Sequence, residues 1–264
     1  MSSDYLALTR LDGRLAIISG GAGLLGSEIA KCLCAHGANV IILDVATERG
    51  SVVSVEASLQ GGSCQFFHSD LSDVVAIPNL VQELEQEYGP IDVWVNCAYP
   101  RTANWGARLE EVSAVSWQEN VNMHLNSYCI SSHESAKRMA VRGRGSIVNI
   151  GSIHGQVAPC FETYRGTTMN SPAAYTAIKG GIAAYSRYLA SYFGHSNVRV
   201  NTVSPGGIFN NQPESFVKRY SERTCLGRLA KASEIAPAVV FLASDAASYI
   251  TGVDFLIDGG LTAL

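Results

Sequence analysis

Tyr175 and Lys179 stand four residues apart in Ala174-Tyr175-Thr176-Ala177-Ile178-Lys179. On a helix that spacing puts both side chains on one face. A phenol ordinarily titrates near pH 10, and a neighbouring ammonium favours its ionised form. The pair therefore reads as a proton shuttle, with Lys179 expected to bring the Tyr175 phenol down toward neutrality. Chance helices often carry the same spacing. It gains specificity here from a turn upstream that could hold phosphates.

That turn is Gly20-Gly21-Ala22-Gly23-Leu24-Leu25-Gly26. It follows the apolar run Leu15-Ala16-Ile17-Ile18, which reads as a buried parallel strand. It precedes a helical pattern that runs from Ser27 to a stop at Gly37. Glycines let the backbone turn tightly and approach a pyrophosphate at the helix N-terminus. The next apolar run, Val40 to Leu43, ends at Asp44. An acid about 20 residues beyond the glycines suits the ribose hydroxyls of a dinucleotide. The same carboxylate repels a 2′-phosphate, which favours NAD over NADP. No Arg or Lys occurs between Ser19 and Ser27 or at Val45-Ala46-Thr47 to offset it.

The elements that must position these groups alternate along the chain. Strands are expected at 15–19, 39–44, 64–69, 91–96, 145–151, 197–203 and 253–257. Helices are expected at 24–36, 47–60, 73–88, 114–140, 173–193 and 233–243, with a short one near 213–223. Such alternation predicts an α/β chain, a three-layer fold with a seven-stranded parallel sheet flanked by helices on both faces. Residues 1–10 are expected to be a flexible tail and 11–264 a single domain. The long connection over about 205–227 is expected to act as a substrate lid.

A chain of 264 residues with net charge −4 has no basic footprint for nucleic acid. No stretch is apolar and long enough to span a bilayer, and the start lacks a signal-peptide pattern. The seven cysteines show no pairing or metal-ligand spacing and are expected to be free thiols of a cytoplasmic protein. No metal is expected.

With these residues in hand, the chain resembles the short-chain dehydrogenase/reductase family over nearly its whole length, from Leu11 to Ile257-Asp258-Gly259-Gly260. That resemblance implies a Rossmann fold in the compact branch. It assigns cofactor contacts to Gly20, Gly23, Leu24, Leu25, Gly26 and Asp44, and to the Asp70-Leu71 pair after the third strand. It adds the Asn96-Cys97-Ala98 turn, the catalytic pair itself, and Pro205, Gly206, Ile208 and Asn210 beyond the sixth strand. Ser152, at the end of Ser146-Ile147-Val148-Asn149-Ile150-Gly151-Ser152, becomes the catalytic serine. It would bond the carbonyl oxygen where charge develops. Lys179 would also reach the nicotinamide ribose. The family commonly assembles as dimers or tetramers, so a homotetramer or homodimer is expected, with Tyr188, Tyr192 and Phe255 as apolar candidates.

The departures are informative too. Leu24 takes the place of the middle glycine of the compact branch. Counting back from Ser152, the family's active-site asparagine falls on His124, with Asn122 and Asn126 on either side. An imidazole there could hold a relay water. The turn after Asn96 continues as Tyr99-Pro100-Arg101, and a segment Phe161–Asn170 is inserted between Ser152 and Tyr175. These features resemble the sub-group linked to flagellin modification and surface-sugar biosynthesis. They nominate Arg101, Tyr164, Arg165 and Asn170, with Ser152, as substrate contacts for a sugar-like alcohol or carbonyl. The alternatives are a general ketone or 3-oxoacyl reductase of the same family, and a catalytically silent dinucleotide-binding module.

Overall fold

In the computed structural model, residues 4–264 are described. Strand β1 (Leu15–Ser19) is buried along its whole length, as its unbroken apolar run requires. It lies at the centre of a sheet with β2 (Asn39–Asp44), β3 (Ser63–His68), β4 (Ile91–Asn96), β5 (Gly145–Ile150), β6 (Val198–Pro205) and β7 (Asp254–Ile257). All seven are parallel, in the order β3-β2-β1-β4-β5-β6-β7. The seven-stranded parallel sheet expected from the sequence is therefore present, each strand within two residues of its expected bounds. The order reverses between β1 and β4. In open parallel sheets the ligand crevice lies at such a point, beyond the carboxyl ends of the strands.

Helices cover both faces. On one side, α1 (Leu24–Ala35), α2 (Thr47–Ser58) and α8 (Ala236–Ala243) enclose a core that includes Ile18, Ile29, Ile42 and Val239. On the other, α3 (Ile77–Tyr88), α5 (Ser127–Arg142) and α6 (Ala173–Phe193) enclose Ile17, Leu84, Trp94 and Met139. In α3, Ile77, Val81 and Leu84 recur at helical spacing and are the buried face. Helix α7 (Glu214–Ser221) occupies the long connection after β6. All seven cysteines are free thiols.

Two expected boundaries move. The helix expected from 73 begins at Ile77, because Asp73 closes a turn on Ala76 and Pro78 fits only the first helical turn. The single helix expected over 114–140 is three pieces: α4 (Ala114–Asn120), a π-helical turn Val121–Asn126, and α5. A π-turn shifts the phase of a helix. Here it leaves His124 in the interior while Asn122 faces solvent. Of the expected tail, residues 1–3 lie outside the described residues, and Ala7–Thr9 form a short 3-10 turn.

Candidate active site

The glycine turn leaves β1 at Gly20, whose φ of +72° suits a residue without a Cβ. A Cβ there would also sit 2.5 Å from the Ala98 Cα, so Gly20 allows the β1 and β4 turns to touch. A Cβ on Gly26 would run into the Gly20 carbonyl. The close approach lets α1 start directly behind the turn. No side chain caps that helix, so its first amides and the positive end of its dipole face the cleft.

The cleft has a volume of about 780 Å³. Gly20, Gly23, Leu24, Leu25, Gly26, Asp44, Asp70, Leu71, Ala98, Tyr175, Lys179, Pro205, Gly206, Ile208, Asn210 and Arg101 all line it. The Asp44 carboxylate is oriented by two backbone donors, the Ala22 amide at 3.0 Å and the Ala46 amide at 3.1 Å. A nicotinamide dinucleotide fits this donor set: free helix amides for the pyrophosphate, and a fixed acid for the ribose hydroxyls.

Asn96, expected as a cofactor contact, is not among the residues that line the cleft. It is fully buried. Its carbonyl oxygen accepts from the Trp94 indole at 2.9 Å and from Ser131 at 2.8 Å. Its amide donates to Ser132 at 2.9 Å and to Asn149 at 2.7 Å. A buried amide must satisfy its donors and acceptors where it lies, and these partners brace β4 against β5 and α5. The Ala98 turn is pinned separately: Tyr128 donates to the Ala98 carbonyl, and Ser19 accepts from the amides of Cys97 and Ala98.

Tyr175 and Lys179 share one face of α6, as their spacing predicts. The Lys179 ammonium is buried, donates to the Ile150 carbonyl at 2.7 Å, and lies 5.0 Å from the centre of the Tyr128 ring. Burial lowers its pKa to about 7. The expected lowering of Tyr175 is not found. Burial holds the phenol above its ordinary value, Tyr99 adds to the effect, and the Ser152 hydroxyl opposes it. One of the lysine's three N–H groups goes to a backbone carbonyl, and Nζ lies 5.7 Å from the centre of the Tyr175 ring. Desolvation of the phenolate therefore outweighs the cation. Ser152 itself is buried two residues beyond β5 and accepts from the His154 amide at 3.2 Å.

His124 is fully buried, and neither ring nitrogen has a hydrogen-bond partner. Its ring packs 5.3 Å from those of Tyr99 and Tyr128. Burial, reinforced by the Lys179 charge, holds it well below the usual histidine range. A neutral imidazole with two orphaned nitrogens costs about 1–3 kcal/mol per missing bond, so the position is not one that packing alone would select. The flanking asparagines bond to each other, Asn126 donating to Asn122 at 3.0 Å. The helical phase thus puts His124, and neither asparagine, beside Lys179.

The Tyr175 end of the cleft is aromatic. Tyr99 meets Tyr175 edge-on at 5.8 Å, and the Trp105 indole donates to the Tyr99 hydroxyl at 2.7 Å. The sequence marks Tyr99 only by its departure from glycine, and nothing in the spacing points to Trp105. Within the insertion, Tyr164 packs 5.3 Å from Phe216 of α7 and is close enough to help raise the Tyr175 phenol. Arg165 is three-quarters exposed and pairs with Glu162 at 3.4 Å. The Asn170 amide donates to the Ala107 carbonyl at 3.0 Å. Ser152, Tyr164, Arg165 and Asn170 are absent from the cleft lining, where Arg101 stands.

The geometry agrees with comparisons to known proteins. The family model described as enoyl-(acyl carrier protein) reductase matches residues 21–262. Post-translational flagellin modification protein A of Campylobacter coli is 29% identical over 95% of this chain and 98% of its own. D-threitol dehydrogenase of Mycolicibacterium smegmatis is 32% identical over 96% of this chain and 94% of its own. The crystal structure of a gluconate 5-dehydrogenase from Burkholderia cenocepacia, in complex with NADP and tartrate, superposes with a TM-score of 0.87 at 25% identity, over 98% of this chain and 99% of that one.

Lys179 makes stability depend on pH. Its folded pKa of about 7 lies below the ordinary lysine value. Above pH 7 the unfolded chain therefore binds the extra proton, and stability rises with pH. Below pH 7 the lysine is charged in both states, and the folded protein carries the full cost of burying it. Unfolded thiols begin to ionise above about pH 7.5. In the folded protein burial raises Cys32, Cys97 and Cys129, and the Cys34 thiol together with burial raises Cys64, so their opposing effect takes over at higher pH. Urea unfolding should thus show stability climbing between pH 7 and about 7.5, by at most roughly 1.4 kcal/mol per pH unit. Lys179→Met should flatten that rise. Equal slopes in the two proteins would show that the lysine is not the titrating group.

Proposed function

Because the chain belongs to the short-chain dehydrogenase/reductase family, we propose that it is an NAD-dependent oxidoreductase acting on a secondary alcohol, or the corresponding carbonyl, of a sugar-like substrate. One observation carries this reading. Tyr175 and Lys179 line the same cleft as the glycine turn and Asp44, so proton-transfer groups and dinucleotide-binding groups converge on one volume.

The bound dinucleotide supplies hydride chemistry at its nicotinamide ring. The chain supplies the proton chemistry. Tyr175 gives a proton to the oxygen of a carbonyl being reduced, or takes one from an alcohol being oxidised. Ser152 donates to that oxygen and stabilises its developing charge. Lys179 holds the β5–α6 junction rigid, and its remaining N–H groups are free to reach ribose hydroxyls. His124 holds a relay water beside Lys179. A phenol kept protonated by burial is ready to donate, so reduction suits neutral pH and oxidation gains as pH rises.

Several features support a polyhydroxylated substrate. The similar proteins include enzymes named for threitol and gluconate, and the similarity to a flagellin modification protein suits a role in surface-sugar biosynthesis. Asp44 supports NAD, although the gluconate 5-dehydrogenase was crystallised with NADP. An enzyme with seven free thiols suits the reducing cytoplasm. The segment over 205–227 then serves as a lid. The aromatic wall of Tyr99 and Trp105 favours a second reading, a general ketone or 3-oxoacyl reductase.

Tyr175→Phe should abolish turnover and leave NAD affinity nearly intact, whereas Lys179→Ala should damage both. A Phe variant that turns over normally would remove the mechanism. A cofactor-reduction screen of polyols, sugars and simple ketones separates the two readings; better turnover of apolar ketones than of any polyol would favour the second.

Asp44→Ala should narrow or reverse the cofactor preference. The measurement is kcat/KM with NAD and with NADP, and a wild-type preference for NADP would overturn the assignment.

A symmetric homotetramer or homodimer is the assembly proposed. Tyr188 and Tyr192 stack along the exposed face of α6, and Phe255 is 41% exposed on the edge strand β7. Light scattering should give a mass above the 28.1 kDa chain, and a stable, active monomer would refute it.

A further inference from the structure

Tyr99 and Tyr175 both line the cleft. Three rings and a guanidinium hold the Tyr99 side chain. It meets the Tyr175 ring edge-on at 5.8 Å, the His124 ring at 5.3 Å and the Trp105 ring at 5.9 Å. The Arg101 guanidinium lies 5.1 Å from its centre. Edge-to-face and cation–π contacts of this kind favour one placement of the ring over others.

The bond to Trp105 decides what the Tyr99 hydroxyl can do. An indole N–H only donates, so at 2.7 Å the phenol oxygen is the acceptor. The phenol keeps its own O–H, and among the described residues no acceptor takes that proton. With its accepting side occupied, the hydroxyl is left as a donor. Burial holds the phenol above its ordinary value, against the opposing effect of the indole, so the proton is present at neutral pH.

Distant segments aim the indole. The Trp105 amide donates to the Thr102 carbonyl at 3.1 Å. The Asn120 side chain, at the end of α4, accepts from the Thr102 amide at 3.1 Å and donates to the Thr102 hydroxyl at 2.8 Å. On the far side of Trp105, the Ala107 carbonyl accepts from Asn170 of the insertion at 3.0 Å. The loop that carries Trp105 is thus tied at both ends, and the insertion bears on the cleft through that loop.

We propose that Tyr99 is a specificity residue, and that its hydroxyl, set as a donor by Trp105, receives a second substrate oxygen on the carbon beside the reacting one. Two phenols in ring contact, one for proton transfer and one for recognition, address neighbouring positions of a small ligand. The inference rests on the polyol reading of the same site and narrows it to vicinal diols and the matching hydroxy ketones. Trp105 is a positioning residue that acts through Tyr99. The aromatic wall that would suit a simple ketone carries one polar tip, and a ketone without a second oxygen leaves it unused.

The test compares kcat/KM for oxidation within matched pairs, with NAD saturating. One pair is meso-butane-2,3-diol against butan-2-ol. The other is the best polyol of the cofactor-reduction screen against its analogue lacking the hydroxyl beside the reacting carbon. The vicinal member should be preferred by about 2- to 10-fold, the range of one neutral hydrogen bond. Tyr99→Phe keeps the ring and should collapse that ratio toward one. Trp105→Phe should lower the ratio part of the way, and should not change it further once Tyr99 is already Phe. A Tyr99→Phe variant that slows both members equally would make Tyr99 a packing residue and overturn this inference alone. So would a wild-type enzyme that turns over polyols yet takes the analogue lacking the second hydroxyl as readily. An equal effect of Trp105→Phe in both backgrounds would break the link from indole to hydroxyl. Failure of every diol and polyol would overturn the polyol reading and this inference with it.

Discussion

The site depends on one buried contact, the Lys179 ammonium against the Ile150 carbonyl. Ile150 ends β5, and Lys179 lies one helical turn beyond Tyr175 on α6. Bonding them fixes the approach of the helix to the carboxyl end of the sheet. Tyr175 follows because it shares the helix face. Ser152 follows because it lies two residues past the strand end. An ammonium out of water is costly unless bonded, so the contact tolerates little freedom. The Tyr128 ring beneath the ammonium adds an attraction of the cation–π kind. Tyr128 also bonds the Ala98 carbonyl. The lysine, the β4 turn and the Tyr175 phenol thus form one connected support.

A second constraint is the contact between the β1 and β4 turns. Gly20 and Ala98 approach too closely for any side chain at Gly20. That contact sets the floor of the cleft where the strand order reverses. Asn96 holds the same junction from below through Trp94, Ser131, Ser132 and Asn149. A polar network of this kind stabilises only when every member is satisfied, and the Asn96 side chain is. Its value to the site is rigidity rather than contact with a ligand.

The cleft therefore has two ends of different character. One is built for a dinucleotide, from helix amides and the oriented Asp44. The other is aromatic and cationic, with Tyr99 and Tyr175 as walls, Trp105 packed behind them, and Lys179 and Arg101 in the lining. Field and shape act together there, since low-dielectric walls strengthen the pull of nearby cations. The same dry surroundings hold the Tyr175 phenol above its ordinary pKa.

The period of the apolar residues was enough to lay out the sheet, because each buried strand needs a continuous apolar run and each covering helix one apolar face. The glycine turn, Asp44 and the Tyr175–Lys179 spacing were legible for the same reason: local geometry dictates them. Other features depended on residues distant in the chain. Asn96 reads as a cofactor contact until the fold surrounds it with Trp94, Ser131 and Asn149. Lys179 reads as the group that ionises Tyr175 until the Ile150 carbonyl takes its proton donor and burial raises the phenol. The π-turn that buries His124 carries no periodic signature. Trp105 reaches Tyr175 from a loop whose path no spacing reveals. The sequence by itself determined which groups could do chemistry; the tertiary structure decided which of them are dry, which are already bonded and which remain free for a substrate. Burial and hydrogen-bond partners are properties of the packed chain, and no local pattern encodes them.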